Sequence, residues 1–180
     1  MSATVRTIGV AVAIPEPWAS ELQDYRARLG DATASMIPTH ITLVPPTQVD
    51  AAVVEDIEAH LESVAATVDA FQVHLRGTGT FRPTSPVVFV AVVEGISSCE
   101  QLASAVRRGP LDVDLSFPYH PHVTVAHDLP EEALDRAFEE LADFECTFEV
   151  DDFHLYVHDE RDGWRPTRDF ALRSEARAAD

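Results

Sequence analysis

The sequence contains no lysine. All 13 of its basic residues are arginine, set against 31 acidic residues for a net charge of −18. A long polynucleotide is held chiefly through neutralised phosphates, and so acidic a chain has little to neutralise them with. Extended nucleic acid is therefore not an expected partner, whereas a small anion held in a locally polar pocket remains compatible. Cysteine is scarce too: Cys99 and Cys146 lie far apart and in no metal-ligand spacing. They fit buried thiols in a reducing compartment rather than a disulfide framework. Nothing approaches a membrane span. The early apolar run, Ile8 to Ile14, is short, lacks a basic leader and ends at Pro15, so it reads as a strand and not a signal peptide. A cytoplasmic monomer with no membrane partner is expected.

What is present is ordinary for a globular chain: 180 residues, 46% hydrophobic and 24% charged. That length suffices for one domain, 1–180, burying about 70% of its unfolded surface. Val5 to Ile14 is rich in β-branched residues and predicts a strand. Trp18, Leu22, Tyr25 and Leu29 recur at helical spacing, with Gly30 as the stop. A strand from Thr39 to Val44 is closed by Pro45-Pro46. Asp50 then caps a helix with the stripe Val53, Ile57, Leu61, Val64 and Val68. Phe71, Val73 and Leu75 alternate with Gln72, His74 and Arg76, as in a half-buried strand, and Gly77 to Pro86 is turn-rich.

The order then repeats. Val87 to Val93 predicts a strand, Ser98 with Gln101 a capping box opening a helix, and Gly109, Pro110 and Pro118 a loop. A second motif strand follows Tyr119, then a helix started by Asp128 and Pro130 with Leu134, Phe138 and Leu141 inward. Strands at Phe148 to Val150, Phe153 to His158 and Trp164 to Leu172 complete the chain, and Ser174 to Asp180 reads as a frayed tail. An offset of 82 residues superimposes Ile8 on Val90, Val10 on Val92, Phe71 on Phe153 and Leu75 on Val157. An internal duplication explains that register. The expected architecture is α+β and bilobal, a pseudo-two-fold pair of lobes built on 1–80 and 86–173. Antiparallel sheets would line a central groove, with the helices outside.

The offset also aligns the chemistry. His40-Ile41-Thr42-Leu43-Val44 and His122-Val123-Thr124-Val125-Ala126 share one frame. In a strand each histidine and its threonine share a face, while the apolar residues between them point inward. The expected groove thus has His40 and Thr42 on one wall, with Gln72, His74 and Arg76, and His122 and Thr124 on the other, with His154, Tyr156 and His158. Two histidines facing one substrate can divide acid and base work, an arrangement suited to in-line displacement at phosphorus. The two hydroxyls can donate to non-bridging oxygens as charge builds there.

These two motifs resemble the paired His-x-Thr motifs of the 2H phosphoesterase superfamily, most closely its 2′-5′ RNA ligase-like branch of RNA 2′,3′-cyclic phosphodiesterases. The resemblance covers nearly the whole chain. It implies a bilobal α+β fold, His40 and His122 as acid and base, Thr42 and Thr124 as phosphate ligands, and no obligatory cofactor or metal. It further implies a small nucleotide or RNA-end phosphodiester as substrate, a 2′,3′-cyclic phosphate or a 2′-5′ linkage. Many relatives carry an arginine or lysine five residues after the second motif histidine, where this chain has His127. His127 when protonated, Arg76 as a phosphate clamp and Tyr119 are the candidate substrate-binding residues, and Phe81 and Tyr119 are candidates to stack on a base. Two alternatives stand beside this reading: a non-catalytic module binding a nucleotide or phosphometabolite on the same fold, and a metal-dependent hydrolase centred on His120 and His122.

Overall fold

The computed structural model of the protein describes residues 3–174. Its elements run β1 (Val5–Ala13), α1 (Trp18–Leu29), β2 (His40–Asp50), α2 (Val54–Ala65), β3 (Phe71–Thr80), β4 (Val87–Glu94), α3 (Ile96–Val106), β5 (His122–His127), α4 (Glu131–Glu140), β6 (Glu145–Val150), β7 (Asp152–Asp159) and β8 (Gly163–Ala171). Alternation builds the strands as expected. Ile41, Leu43, Val123 and Val125 are all fully buried, each contributing about 1.5–3 kcal/mol by leaving water. The tail reading falls, apart from Ser174, outside the described residues.

Two antiparallel four-stranded sheets form, in the orders β2-β1-β7-β8 and β5-β4-β3-β6. The fold is α+β with the strands of one half partly lodged in the sheet of the other. β3 comes from the first half of the sequence but pairs with β4 and β6. β7 comes from the second half and pairs with β1 and β8. The helices are exchanged in the same way. α2 and α3 pack together and cover the first sheet, while α1 and α4 cover the second. Trp18 of α1 accordingly meets Phe148 of β6, ring centroids 6.3 Å apart.

This exchange corrects the expected composition of the two walls. Gln72, His74 and Arg76 sit in the sheet of His122, and His154, Tyr156 and His158 in the sheet of His40. Alternation says which face of a strand is apolar, but not which sheet the strand joins.

Three local readings also change. β2 does not stop at Pro45-Pro46 but runs to Asp50, because the register shifts there, with Ile8 opposite Thr47 and Val10 opposite Val44. β2 is an edge strand, and prolines are tolerated at edges and bulges. β3 likewise continues through Gly77 to Thr80, leaving only 81–86 as turn. The start of α3 is made by Gly95 and not by a Ser98 box: its φ is +97°, and an added Cβ would lie 2.6 Å from the Gln72 carbonyl oxygen. Gln101 instead donates to Ser97 within the helix. Phe138, expected inward on α4, is exposed, and Ala137 takes the buried place beside Leu134.

Candidate active site

β2 and β5 are the edge strands of the two sheets, and the sheets meet along them. Along this seam the strands that carry the two His-x-Thr motifs lie side by side. His40 and Thr42 stand half-buried on β2 and His122 and Thr124 half-buried on β5, each pair on the face opposite its buried neighbours.

The two imidazoles are held alike. His40 Nδ1 lies 2.6 Å from the Pro38 carbonyl oxygen, and His122 Nδ1 lies 2.7 Å from that of His120. A carbonyl can only accept, so Nδ1 carries the proton in both rings and Nε2 is left for other work. Each tether comes from the residue two places earlier, at the entry to its strand. Burial pulls the pKa of His40 below the ordinary histidine value; the Pro38 carbonyl opposes this and the Arg26 guanidinium adds to it. Burial lowers His122 as well, opposed by the His120 carbonyl and reinforced by the charges of His120 and His40.

Two cavities open on the seam, and Thr42 lines both. The His40 cavity, about 310 Å³, is also walled by Thr124, His127, Arg26, Tyr156 and Trp164. The His122 cavity, about 650 Å³, is walled by His120, Tyr119, Phe81, Phe117 and Pro45 among others. His122 stands edge-on to Phe81, with centroids 4.9 Å apart, and 5.3 Å from Phe89. His120 touches the same two rings.

The candidate residues are not all brought together. His127 is exposed at the end of β5, with Nε2 3.4 Å from the Asp128 carboxylate, yet it does line the His40 cavity. Tyr119 lines the His122 cavity, but its hydroxyl donates to the Thr42 carbonyl at 2.7 Å and its ring is covered by Arg107. Phe81 packs on the histidines and Phe89. Arg76 is exposed on the stretch of β3 that faces Glu145 of β6 and lines neither cavity. Of the strand residues expected in the groove, Tyr156 is on a wall, whereas His74 pairs with Glu145 at 2.8 Å.

Sequence reasoning missed Arg26 and read Trp164 only as the start of the last strand. Arg26 follows Leu22 by four residues, so a charge lies in register with the apolar stripe of α1, and that was the available signal. It is buried, and its Nε and Nη2 both donate to Asp31. Burial would raise the Asp31 carboxyl, but the hydroxyl and amide of Thr33 and the Arg26 guanidinium outweigh it and hold it below the ordinary carboxylate value. Trp164 lies over Gly9, where an added Cβ would stand 3.5 Å from the indole. The alternative metal centre at His120 and His122 lacks a third ligand: among the described residues no three His, Cys, Asp or Glu side chains form a metal-ligating group. No helix among them is long and apolar enough to cross a membrane.

Known proteins share this chain's pattern. A protein of Geobacillus sp. (strain WCH70), provisionally named a phosphoesterase, is 30% identical over 142 residues, 78% of this chain and 81% of its own. The apo structure of Escherichia coli LigT superposes with a TM-score of 0.70 over 96% of this chain and all of its own, at 19% identity. A protein of Thermus thermophilus, TT0787, superposes with a TM-score of 0.65 at 21% identity, over 94% of this chain and 99% of its own. The sequence model of the 2′-5′ RNA ligase superfamily matches residues 14–162, which span β2 and β5 with both motifs. The chain belongs to that superfamily, within the 2H phosphoesterases.

Proposed function

We propose that this protein is a metal-independent phosphodiesterase acting on a small 2′,3′-cyclic phosphate or 2′-5′-linked nucleotide substrate. His40 and His122 form its acid–base pair, and Thr42 and Thr124 are its phosphate ligands. The observation that carries this reading is the matched tethering of the two imidazoles, each Nδ1–H fixed on a carbonyl two residues back. That leaves two Nε2 atoms at one seam. For a 2′,3′-cyclic phosphate, one neutral Nε2 takes a proton from water as the water oxygen attacks phosphorus. The bond from phosphorus to the 3′-oxygen breaks, and the other imidazole, protonated, gives its proton to that oxygen. The product is a 2′-phosphate. Thr42 and Thr124 donate to the non-bridging oxygens.

Known proteins of this fold support a small phosphate-bearing substrate. Escherichia coli LigT has been solved in complex with 3′-AMP, NADP+, ATP and phosphate. The two cavities, about 310 and 650 Å³, fall in the range of small-ligand sites. The net charge of −18 disfavours an extended polyanion.

The test is turnover of 2′,3′-cyclic mononucleotides and of short RNA ending in a cyclic phosphate, with and without EDTA. The expected result is EDTA-resistant hydrolysis that is lost in both His40→Ala and His122→Ala. Full activity in His40→Ala refutes the two-histidine mechanism. Tight binding without turnover identifies a binding module, and loss on chelation identifies metal chemistry.

A further inference from the structure

We propose that Arg26 is the fixed cation that receives the phosphate group in the His40 cavity, and that Asp31 is its positioning residue. This rests on the phosphodiester reading of the same groove and names a residue on which that reading is silent.

The geometry of the guanidinium carries the argument. Arg26 is 3% exposed. Its Nε and Nη2 both donate to Asp31 Oδ2, at 3.1 and 2.8 Å. The other oxygen, Oδ1, is occupied by the amide and hydroxyl of Thr33 at 2.9 and 2.7 Å, so the carboxylate is itself locked. One edge of the planar fork is thereby fixed, while Nη1 makes no hydrogen bond among the described residues. The side chain lines the cavity that holds His40, Thr42 and Thr124.

The need for such a group follows from the other walls. Among the described residues no second arginine lines either cavity, and the chain has no lysine. A phosphodiester entering the cavity exchanges water for protein donors and retains its negative charge. The imidazoles are driven toward the neutral form by burial, and His127 is exposed with Asp128 beside it. Arg26 alone offers a permanent charge, in a fork whose geometry suits phosphate oxygens. A buried arginine–carboxylate pair seldom repays its desolvation as a stabilising device. Placed beside a cavity with Nη1 left over, it has a use in binding.

Inorganic phosphate is the probe. Its affinity is measured calorimetrically on the unaltered protein, on Arg26→Gln and on Arg26→Lys, with near-ultraviolet circular dichroism to verify the fold. Its inhibition of cyclic-nucleotide turnover is measured in parallel. Loss of a charge-assisted bond predicts phosphate affinity weakened about 10- to 100-fold in Arg26→Gln, with a smaller loss in Arg26→Lys. Free guanidinium at non-denaturing concentration restores part of the turnover of Arg26→Gln and none of that of His40→Ala. Folded variants whose phosphate affinity stays within about twofold overturn the proposal, as does failure of the unaltered protein to bind phosphate. If neither variant folds, the side-chain Nε–H resonance of Arg26 in the unaltered protein decides: it moves on phosphate titration, or the proposal falls. Unaltered protein that binds phosphate through Arg26 without turning over substrate removes the catalytic reading and keeps this one. Turnover that ignores Arg26 does the reverse.

Discussion

The Tyr119 hydroxyl donates to the Thr42 carbonyl across 2.7 Å, joining the segment that leads into β5 to the edge of β2. Tyr119 is three residues before His122, and Thr42 is two after His40, so this single bond spans the two halves of the site. Burial pushes the phenol's pKa well above its ordinary value, so it remains a donor at every working pH. Tyr119→Phe keeps the ring and removes the bond, at a stability cost of about 1 kcal/mol. Because the seam sets the spacing of the motifs, kcat is expected to fall about tenfold with little change in KM. Kinetics and thermal unfolding of the one variant check both statements. An unchanged kcat means that the sheets hold their spacing without it.

The two imidazoles are expected to be unequal partners of one reaction, so either loss is severe. His40→Ala and His122→Ala should each lower kcat/KM for a cyclic nucleotide about 100- to 10,000-fold. The double variant should be scarcely worse than the worse single one, since a pair acting as a unit is not additive. Additive losses would indicate two independent contributions.

Burial lowers the pKa of both histidines, and this sets the sign of the pH profile. The reaction needs one imidazole neutral and the other protonated. Protonated histidine becomes scarce above its own pKa, which here lies below the ordinary value of about 6.5. The kcat/KM of the free enzyme should therefore peak on the acidic side of 6.5 and fall about tenfold for each pH unit above neutrality. A maximum in the alkaline range would contradict this assignment of acid and base.

Asp31 gives a separate, structural pH dependence. Its folded pKa is held below the unfolded value, so its contribution is complete above the unfolded carboxyl pKa of about 4 and drains away as pH falls through the folded value. Asp31→Asn leaves the buried Arg26 uncompensated and should lower stability at neutral pH by about 3 kcal/mol. It should also flatten the acid limb of the stability curve. Denaturant titrations of both proteins between neutrality and strong acid distinguish a flattened limb from a uniform loss.

The motif strands were legible because two-residue alternation alone fixes which side chains share a face, and β2 and β5 obey it. The helix stop at Gly30 was legible for an equally local reason, its left-handed conformation. Sheet membership was not. β3 and β7 have faces that alternation reads correctly and partners that it cannot read, so Arg76 is expected in the sheet of His40 and lies instead in that of His122, away from both cavities. Pro45-Pro46 reads as a stop until β2 is known to be an edge strand. Arg26 was hidden for a different reason: one charge on an apolar helix stripe looks like an exposed exception until its Asp31 partner and the cavity are seen together.

Gly79 tests how closely His122 is held. Gly79 faces Phe89 across the β3–β4 ladder, and an added Cβ would stand 2.5 Å from Phe89 Cζ. That ring cannot simply swing aside, because it is wedged against Phe81 at 4.6 Å and His122 at 5.3 Å between centroids. Gly79→Ala must therefore push Phe89 toward the histidine or open the ladder. Overpacking of this kind costs about 1–3 kcal/mol, and displacing the imidazole should lower kcat by about 10- to 100-fold. Shortening the obstructing ring in Gly79→Ala/Phe89→Leu removes the clash and should recover part of the lost stability. If Gly79→Ala alone leaves both the unfolding midpoint and kcat unchanged, Phe89 does not brace His122, and the Nδ1 tether to His120 must orient the ring unaided.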